Sequence, residues 1–369
     1  VDSVDLGSAE RIEVIRGPFS AVYGSASGGV ISIQTEDGPE EPFMSGRFNL
    51  GAYDYRQAQV KAGGQTGKLN WLANASSTEL DGYRDHAHYE SRLFNSKLRY
   101  EFDESTRLTV VFNAVDSPTA DDPGGLNARE VAADRRQAAP RNLLYDAGEA
   151  LDQQSLGLAF RKDVGDDQEL MLRSYYVRRQ FDNRLPFDVN SNGQGGSVDL
   201  SRRFGGLGGS YSWGSLVGRR SNRLIVGFDF DAQRDHRRRY ANNQGTLGEL
   251  TTDQDEDVTT TALFVQDVLD FTDTLSLTLG GRFDEVEYEI SDRTGAGGSG
   301  RRSFNEFSPM AGLSWALGEA VNLYGNVSSS FDPPATTELA NPEGPSGFNQ
   351  ELDSQKATNY ELGIKGLLT

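Results

Sequence analysis

The sequence has no cysteine, only 3 histidines, and no apolar run approaching the roughly 20 residues of a membrane-spanning helix. Without cysteine there is no disulfide framework, no thiolate metal site and no cysteine nucleophile, so the redox compartment stays open. Positive charge is also short: 36 lysines and arginines stand against 55 aspartates and glutamates, a formal charge of −19. That balance excludes ordinary nucleic-acid binding through a basic face. Only 36% of the residues are apolar, while 42 glycines and 12 prolines favour strands and turns over helices. The first residues carry no basic stretch followed by an apolar one, so they are not a secretory signal, and the last break off just after a strand-like segment. The chain reads as a fragment.

What is present is alternation with a period of two, which sends successive side chains to opposite faces of a strand. In Thr274 to Phe283, Leu275, Leu277, Leu279 and Phe283 share one face, and Thr274, Ser276, Thr278 and Arg282 share the other. Leu108, Val110, Phe112 and Ala114 repeat the pattern, as do Leu323, Val327 and Phe331, and Tyr360, Leu362 and Ile364. About fourteen such segments lie between Phe43 and Gly366, each near the roughly 9 to 11 residues that cross a bilayer when tilted. Tight connections, such as Glu101 to Thr106 and Gly165 to Asp167, alternate with long polar ones: Asp116 to Asp152, Phe181 to Gly195, Arg234 to Asp257, Ser291 to Asn305 and Asp332 to Ala357. Short turns at one end and long loops at the other are the habit of an antiparallel transmembrane β-barrel. A soluble sandwich or propeller also alternates, but sandwich strands average about 5 to 6 residues. Residues 1–37 break the rhythm. Glu10 to Gly17 reads as a strand of alternating charge and aliphatic, Ser20 to Gly29 as a small-residue stretch, and Val30 to Gln34 as a second short strand.

Enzyme chemistry finds no foothold. Glu285, Glu287 and Glu289 would share one strand face while Asp284 points away, which is no paired-carboxylate site, and neither a Gly-x-Ser-x-Gly elbow nor a His-Glu-x-x-His helix occurs. His86 and His88 are weak metal candidates, since a third ligand, Asp85 or His236, would have to join them. The acidic run Asp253, Asp255, Glu256 and Asp257 lacks a calcium-loop glycine and terminal glutamate. Arg234, His236, Arg237, Arg238, Arg239 and Tyr240 form a dense basic cluster in an acidic chain, and Arg135, Arg136 and Arg141 a more dispersed one. Placed in long loops, they would attract an anionic ligand such as a ferric carboxylate or catecholate chelate. Equally, they would neutralise Asp229, Asp231 and Asp235, or touch lipopolysaccharide phosphate. Gly17, Gly24, Gly28 and Gly29 suit backbone geometry better than a phosphate cradle.

The run Ala9-Glu10-Arg11-Ile12-Glu13-Val14-Ile15-Arg16-Gly17-Pro18, continued by Ala21-Val22-Tyr23-Gly24 and Gly28-Gly29-Val30-Ile31, resembles the closing segment of the plug of TonB-dependent outer-membrane receptors. Leu279 to Asp284 resembles that family's recurring "GlRyD" strand, and Ser330-Phe331-Asp332-Pro333-Pro334 through Glu338-Leu339 its "SFrpP…EL" loop. Leu352 to Gly363 is similar to "LkPEksTNYElG", departing at Ser354 and Gln355. The resemblance implies an all-β, plugged barrel of about 22 strands, of which 43–369 would supply about 14 and residues 1–37 the C-terminal part of the plug. It further implies a monomer in the outer membrane of a Gram-negative bacterium, in contact with lipid and lipopolysaccharide. Such a protein is not an enzyme and has no cofactor; it takes up a ferric siderophore or similar metal chelate with energy from the TonB complex. A vitamin, redox cofactor or oligosaccharide is the alternative cargo, and a passive porin-like channel or a soluble glycan-binding β-domain the alternative class. Within the resemblance, Arg16 is expected to reach Glu361 between plug and barrel. A local pair between Arg16 and Glu13 is the competing expectation.

Overall fold

The computed structural model describes residues 4–16, 24, 29–295, 298–318, 320–339, 349 and 351–366, and the side chain of Arg16 and the motif residues Gly17, Pro18, Ala21 to Tyr23 and Gly28 lie outside that description. Strands β1 (Ala9–Arg16) and β2 (Gly29–Thr35) form a two-stranded antiparallel sheet of their own. The remaining strands make one 14-stranded sheet: β3 (Phe43–Leu50), β4 (Arg56–Thr66), β5 (Leu69–Leu80), β6 (Tyr89–Asp103), β7 (Thr106–Asp121), β8 (Gly148–Asp163), β9 (Gln168–Val189), β10 (Gly195–Val217), β11 (Arg220–Asn243), β12 (Thr246–Asp270), β13 (Leu275–Asp292), β14 (Gly300–Ala316), β15 (Val321–Asp332) and β16 (Gln355–Gly366). Each pairs antiparallel with the next in sequence, so the sheet is a pure meander whose two outer strands, β3 and β16, are not joined among the described residues.

The sheet is apolar on the outside and polar on the inside. Leu98, Leu156, Leu207, Phe228, Leu263, Leu279, Phe283 and Phe307 are exposed, whereas Asn70, Asn74, Asn95, Asp229, Asp235, Glu256, Arg282 and Asp284 are buried. A water-soluble core would reverse that order; a wall standing in lipid around a polar lumen produces it. No helix among the described residues is long and apolar enough to cross a membrane. Along β13 the outward positions change from Leu279 and Phe283 to Glu285, Glu287 and Glu289, and along β12 from Leu263 to Asp257 and Asp255. This change marks the upper edge of the apolar belt.

Above it the strands continue. β9 to β12 run for 22, 23, 24 and 25 residues, far beyond the roughly 9 to 11 that suffice to span the bilayer. The expected loops Phe181 to Gly195 and Arg234 to Asp257 are therefore mostly strand, closed by the turn 190–194 and by Gln244-Gly245. The physical reason is that water bathes the outward face there, so alternation persists in charge pairing and no longer in hydrophobicity. Gln244 and Gly245 both have positive φ, 52° and 89°, the twist a two-residue hairpin turn requires. The segment Ser291 to Asn305 likewise shortens to 293–299, whereas Asp332 to Ala357 does separate two strands. Between β7 and β8 the chain forms two short helices, α1 (Ala128–Ala133) and α2 (Pro140–Leu144). Asn127 and Glu130 close a capping box on α1.

Candidate ligand vestibule and plug contacts

Strand geometry splits the basic run in two. On β11 odd positions face the lumen and even ones face out, so Arg237 and Arg239 point inward with Asp235, while Arg234, His236, Arg238 and Tyr240 point outward. The outward side chains pair across the sheet: Arg234 with Asp257 at 2.6 Å, Arg238 with Asp199 at 2.5 Å and His236 with Asp253 at 2.8 Å. Neutralisation thus comes from the neighbouring strands. The acids named from sequence have other partners: Asp229 binds Arg173 and Arg282, Asp231 accepts from the Tyr175 hydroxyl, and Asp235 binds Arg202.

The inward side is tighter. Arg202 donates to both carboxylate oxygens of Asp235 at 2.8 and 2.6 Å, and Arg237 donates to Glu256 at 2.6 and 3.3 Å. Glu256 also accepts from Gln254 at 2.6 Å and from the Thr336 hydroxyl at 2.8 Å, and its side chain has no exposure to solvent. Burial alone would raise its pKa; the hydrogen bond and charge of Arg237, helped by Gln254 and Thr336, hold it below the ordinary value. Thr336 belongs to the β15–β16 connection, whose Leu339 is buried with Val286, Tyr288, Phe304 and Phe331.

Two inward arginines at this height have amide partners only. Arg179 Nε donates to Gln153 at 2.9 Å and Arg239 Nη1 to Gln194 at 2.5 Å, and neither has a carboxylate within ion-pair distance among the described residues. Burial, and then the neighbouring charge of Arg202 for Arg179 and of Arg237 for Arg239, lowers the pKa of each. Both remain cations at neutral pH, because a guanidinium ordinarily loses its proton only in strong base. The mouth of the lumen is thus lined by Arg179, Arg202, Arg237 and Arg239; Asp235 and Glu256 pair with Arg202 and Arg237, and Glu149 on the same face acts on Arg179 only at a distance. Sequence reading missed Arg179 and Arg202, which stand on β9 and β10; the one signal was their alternation with outward Arg178 and Arg203.

The other candidates scatter. Arg135 and Arg136 lie over the Tyr83 ring at 5.6 and 5.8 Å, and Arg141 is exposed in the last turn of α2. Arg84 donates to the backbone carbonyls of Pro123, Gly124 and Gln137, which ties the 81–88 connection to this helical lobe. His86 contacts the Ala147 carbonyl at 2.7 Å and His88 contacts Asp81 at 3.1 Å. No group of three metal-ligating side chains forms among the described residues.

Near the other end of the lumen the wall grips the segment that follows β2. Lys61 pairs with Glu36, Lys97 with Asp37 at 2.8 Å and Arg99 with Asp37, while Asn70 exchanges two hydrogen bonds with the Gly38 backbone at 2.9 and 2.6 Å. Burial works against ionisation of Asp37, but Lys97 and Arg99 outweigh it and depress its pKa. Asn74 donates to Asp5 at 2.7 Å. Glu13 pairs with Arg11, its neighbour on the same strand face. Glu361 accepts from the Tyr324 hydroxyl at 3.1 Å and Asn326 at 2.9 Å, and it shares a cavity of about 590 Å³ with Glu13 and Lys365.

Residues 42–369 match the family described as TonB dependent receptor-like, beta-barrel. The chain belongs to that family of transport receptors, whose home is the outer membrane of Gram-negative bacteria. It is similar to the metal-pseudopaline receptor CntO of Pseudomonas aeruginosa, 20% identical over 99% of this chain and 55% of that protein, and to the ferric-pyoverdine BN7/BN8 receptor of Pseudomonas putida, 24% identical over 99% and 49%. The solved structure of the ferric citrate transporter FecA in the unliganded form superposes with a TM-score of 0.80 at 20% identity, covering 99% of this chain and 55% of that one. The chain spans about half the length of the curated relatives it matches.

Proposed function

We propose that the complete protein imports an anionic metal chelate of the ferric siderophore kind across the outer membrane, driven by TonB. Residues 1–37 form the C-terminal part of the plug and 43–369 about two-thirds of the wall of a roughly 22-stranded barrel. The observation that carries the choice of cargo is the lumen mouth, where Arg179 and Arg239 face inward with amide partners only. Guanidinium groups so placed bind carboxylate or catecholate oxygens in pairs. The relatives that bind metal-pseudopaline and ferric pyoverdine agree with that cargo. In this reading the ligand settles against the arginines and the plug, and the TonB complex pulls the plug to open a path. No covalent chemistry and no resident cofactor are involved, the metal being cargo. The outward arginines, with Arg135, Arg136 and Arg141, meet lipopolysaccharide phosphate, and the receptor works as a monomer.

The test is uptake of radiolabelled iron by the native host, offered as anionic and as neutral chelates, with the tonB gene intact or deleted. Energy-dependent uptake of an anionic chelate that vanishes without TonB supports the proposal. Uptake that persists without TonB would point to a passive channel, and uptake of neutral chelates alone would remove the role of the arginines.

A further inference from the structure

Arg239 is braced from both neighbouring strands. On β12 the register slips by one residue beside it: Arg239 stands opposite Thr252 and Tyr240 opposite Leu250, which leaves Thr251 as the extra residue of a β-bulge. The Thr251 hydroxyl donates to the Arg239 carbonyl at 3.1 Å and accepts from the Gly195 amide at 2.8 Å, so one side chain staples β10, β11 and β12 at the level of the arginine. Gly195 lies close against β11, where a Cβ would stand 2.0 Å from the Tyr240 carbonyl oxygen, and no residue with a side chain could take its place. That approach brings the preceding residue to the guanidinium. Gln194 Oε1 accepts from Arg239 Nη1 at 2.5 Å and from Asn190 Nδ2 at 3.3 Å, while Asn190 Oδ1 accepts from the Gln194 backbone amide at 2.9 Å. Among the described residues Arg239 Nη2 has no hydrogen-bond partner, and Nε is buried without one. A buried donor left unmet costs stability, so the brace aims this guanidinium without satisfying it.

We propose that Thr251 is the positioning residue of the anion site: by tying the Gly195 amide to the Arg239 carbonyl, its hydroxyl sets where Gln194 holds the guanidinium and so which way Nη2 meets an incoming carboxylate or catecholate oxygen. The inference rests on the lumen mouth being the anion site, as proposed above. Thr251 itself touches no cargo. A guanidinium already fixed in place loses less freedom when the ligand arrives, and that is how a residue outside the contact strengthens binding. Valine at 251 keeps the β-branched shape that suits a strand but drops both hydrogen bonds, whereas serine keeps the hydroxyl.

The test titrates the complete receptor with ferric citrate and with a ferric tris-catecholate, the tighter of the two serving as probe, beside heat-modifiability of the barrel on gels. Thr251→Val should weaken binding by about three- to tenfold with the barrel still folded, and Thr251→Ser should bind as wild type does. In an Arg239→Gln background Thr251→Val should weaken binding no further, because both act through one guanidinium. Additive losses would overturn the proposal. So would Thr251→Val binding like wild type while Arg239→Gln binds more weakly, or a loss in Thr251→Ser equal to that in Thr251→Val. If Thr251→Val fails to insert, Thr251→Ala makes the same comparison. Arg239→Gln binding as tightly as wild type, or a wild-type receptor that binds neither chelate, would overturn the anion-site reading itself, a result distinct from failure of the positioning role.

Discussion

The same four strands, β9 to β12, behave differently below and above the edge of the apolar belt. Below it, one face meets lipid and the other the lumen, so Phe228 and Leu263 point out while Asp229 points in. Above it both faces are charged, and burial is what separates them. The outward pair of Arg234 and Asp257 is exposed, whereas the inward pair of Arg237 and Glu256 lies out of solvent. Two ion pairs drawn from one stretch of sequence thus have unlike weights, because desolvation strengthens the dependence of each partner on the other only on the inner side.

That contrast is broken most severely by removing Glu256. Glu256→Ala leaves Arg237 buried without its carboxylate and is expected to cost about 3 to 5 kcal/mol, read as a lower urea or heat midpoint for the barrel. Asp257→Ala, one residue further along the same strand, should leave that midpoint unmoved. A slightly smaller effect is expected within the belt, where Leu279→Arg would place a charge in hydrocarbon at a cost of about 2 to 4 kcal/mol. Glu287→Arg, on the same outward face above the belt, should fold as well as wild type. Refolding yield into lipid vesicles distinguishes the two, and equal yields would move the belt.

The smallest effect concerns the lumen's other end. The Asp37 carboxyl has a depressed pKa, so its pairs with Lys97 and Arg99 stabilise the seating of residues 36–38 fully above its ordinary value of 3.8 and are lost as pH falls through the lower folded value. Conductance of the complete receptor in acid should therefore rise below about pH 4. Asp37→Asn should raise it at neutral pH and remove that step.

How much of this was legible in the sequence follows the same boundary. Within the belt, hydrophobic alternation put Leu279 and Phe283 on one face and Arg282 on the other, as observed. Above the belt the apolar half of the signal vanishes. Arg234 to Asp257 then reads as a polar loop, and Arg237, Arg238 and Arg239 read as one cluster although the strand turns Arg238 away from its neighbours. Pairing with Asp199, Asp253, Glu256 and Asp257 depends on register, which a single sequence does not reveal. The cap of α1 was readable in Asn127 and Glu130, but a helix of that length carries no period to prompt the search. Contacts between Lys61, Lys97, Arg99 and the Glu36-Asp37-Gly38 segment join residues distant along the chain, and only the closure of the lumen around that segment brings them together.

The inward arginines carry the choice of cargo, and the most direct measurement compares Arg239→Gln with Arg238→Gln in the complete receptor, titrated with an anionic ferric chelate. Loss of a charge-assisted contact at the mouth predicts binding weaker by about tenfold or more for Arg239→Gln, and no change for Arg238→Gln, whose side chain faces outward against Asp199. Equal affinity in the two variants would contradict the assignment of the lumen mouth as the anion site.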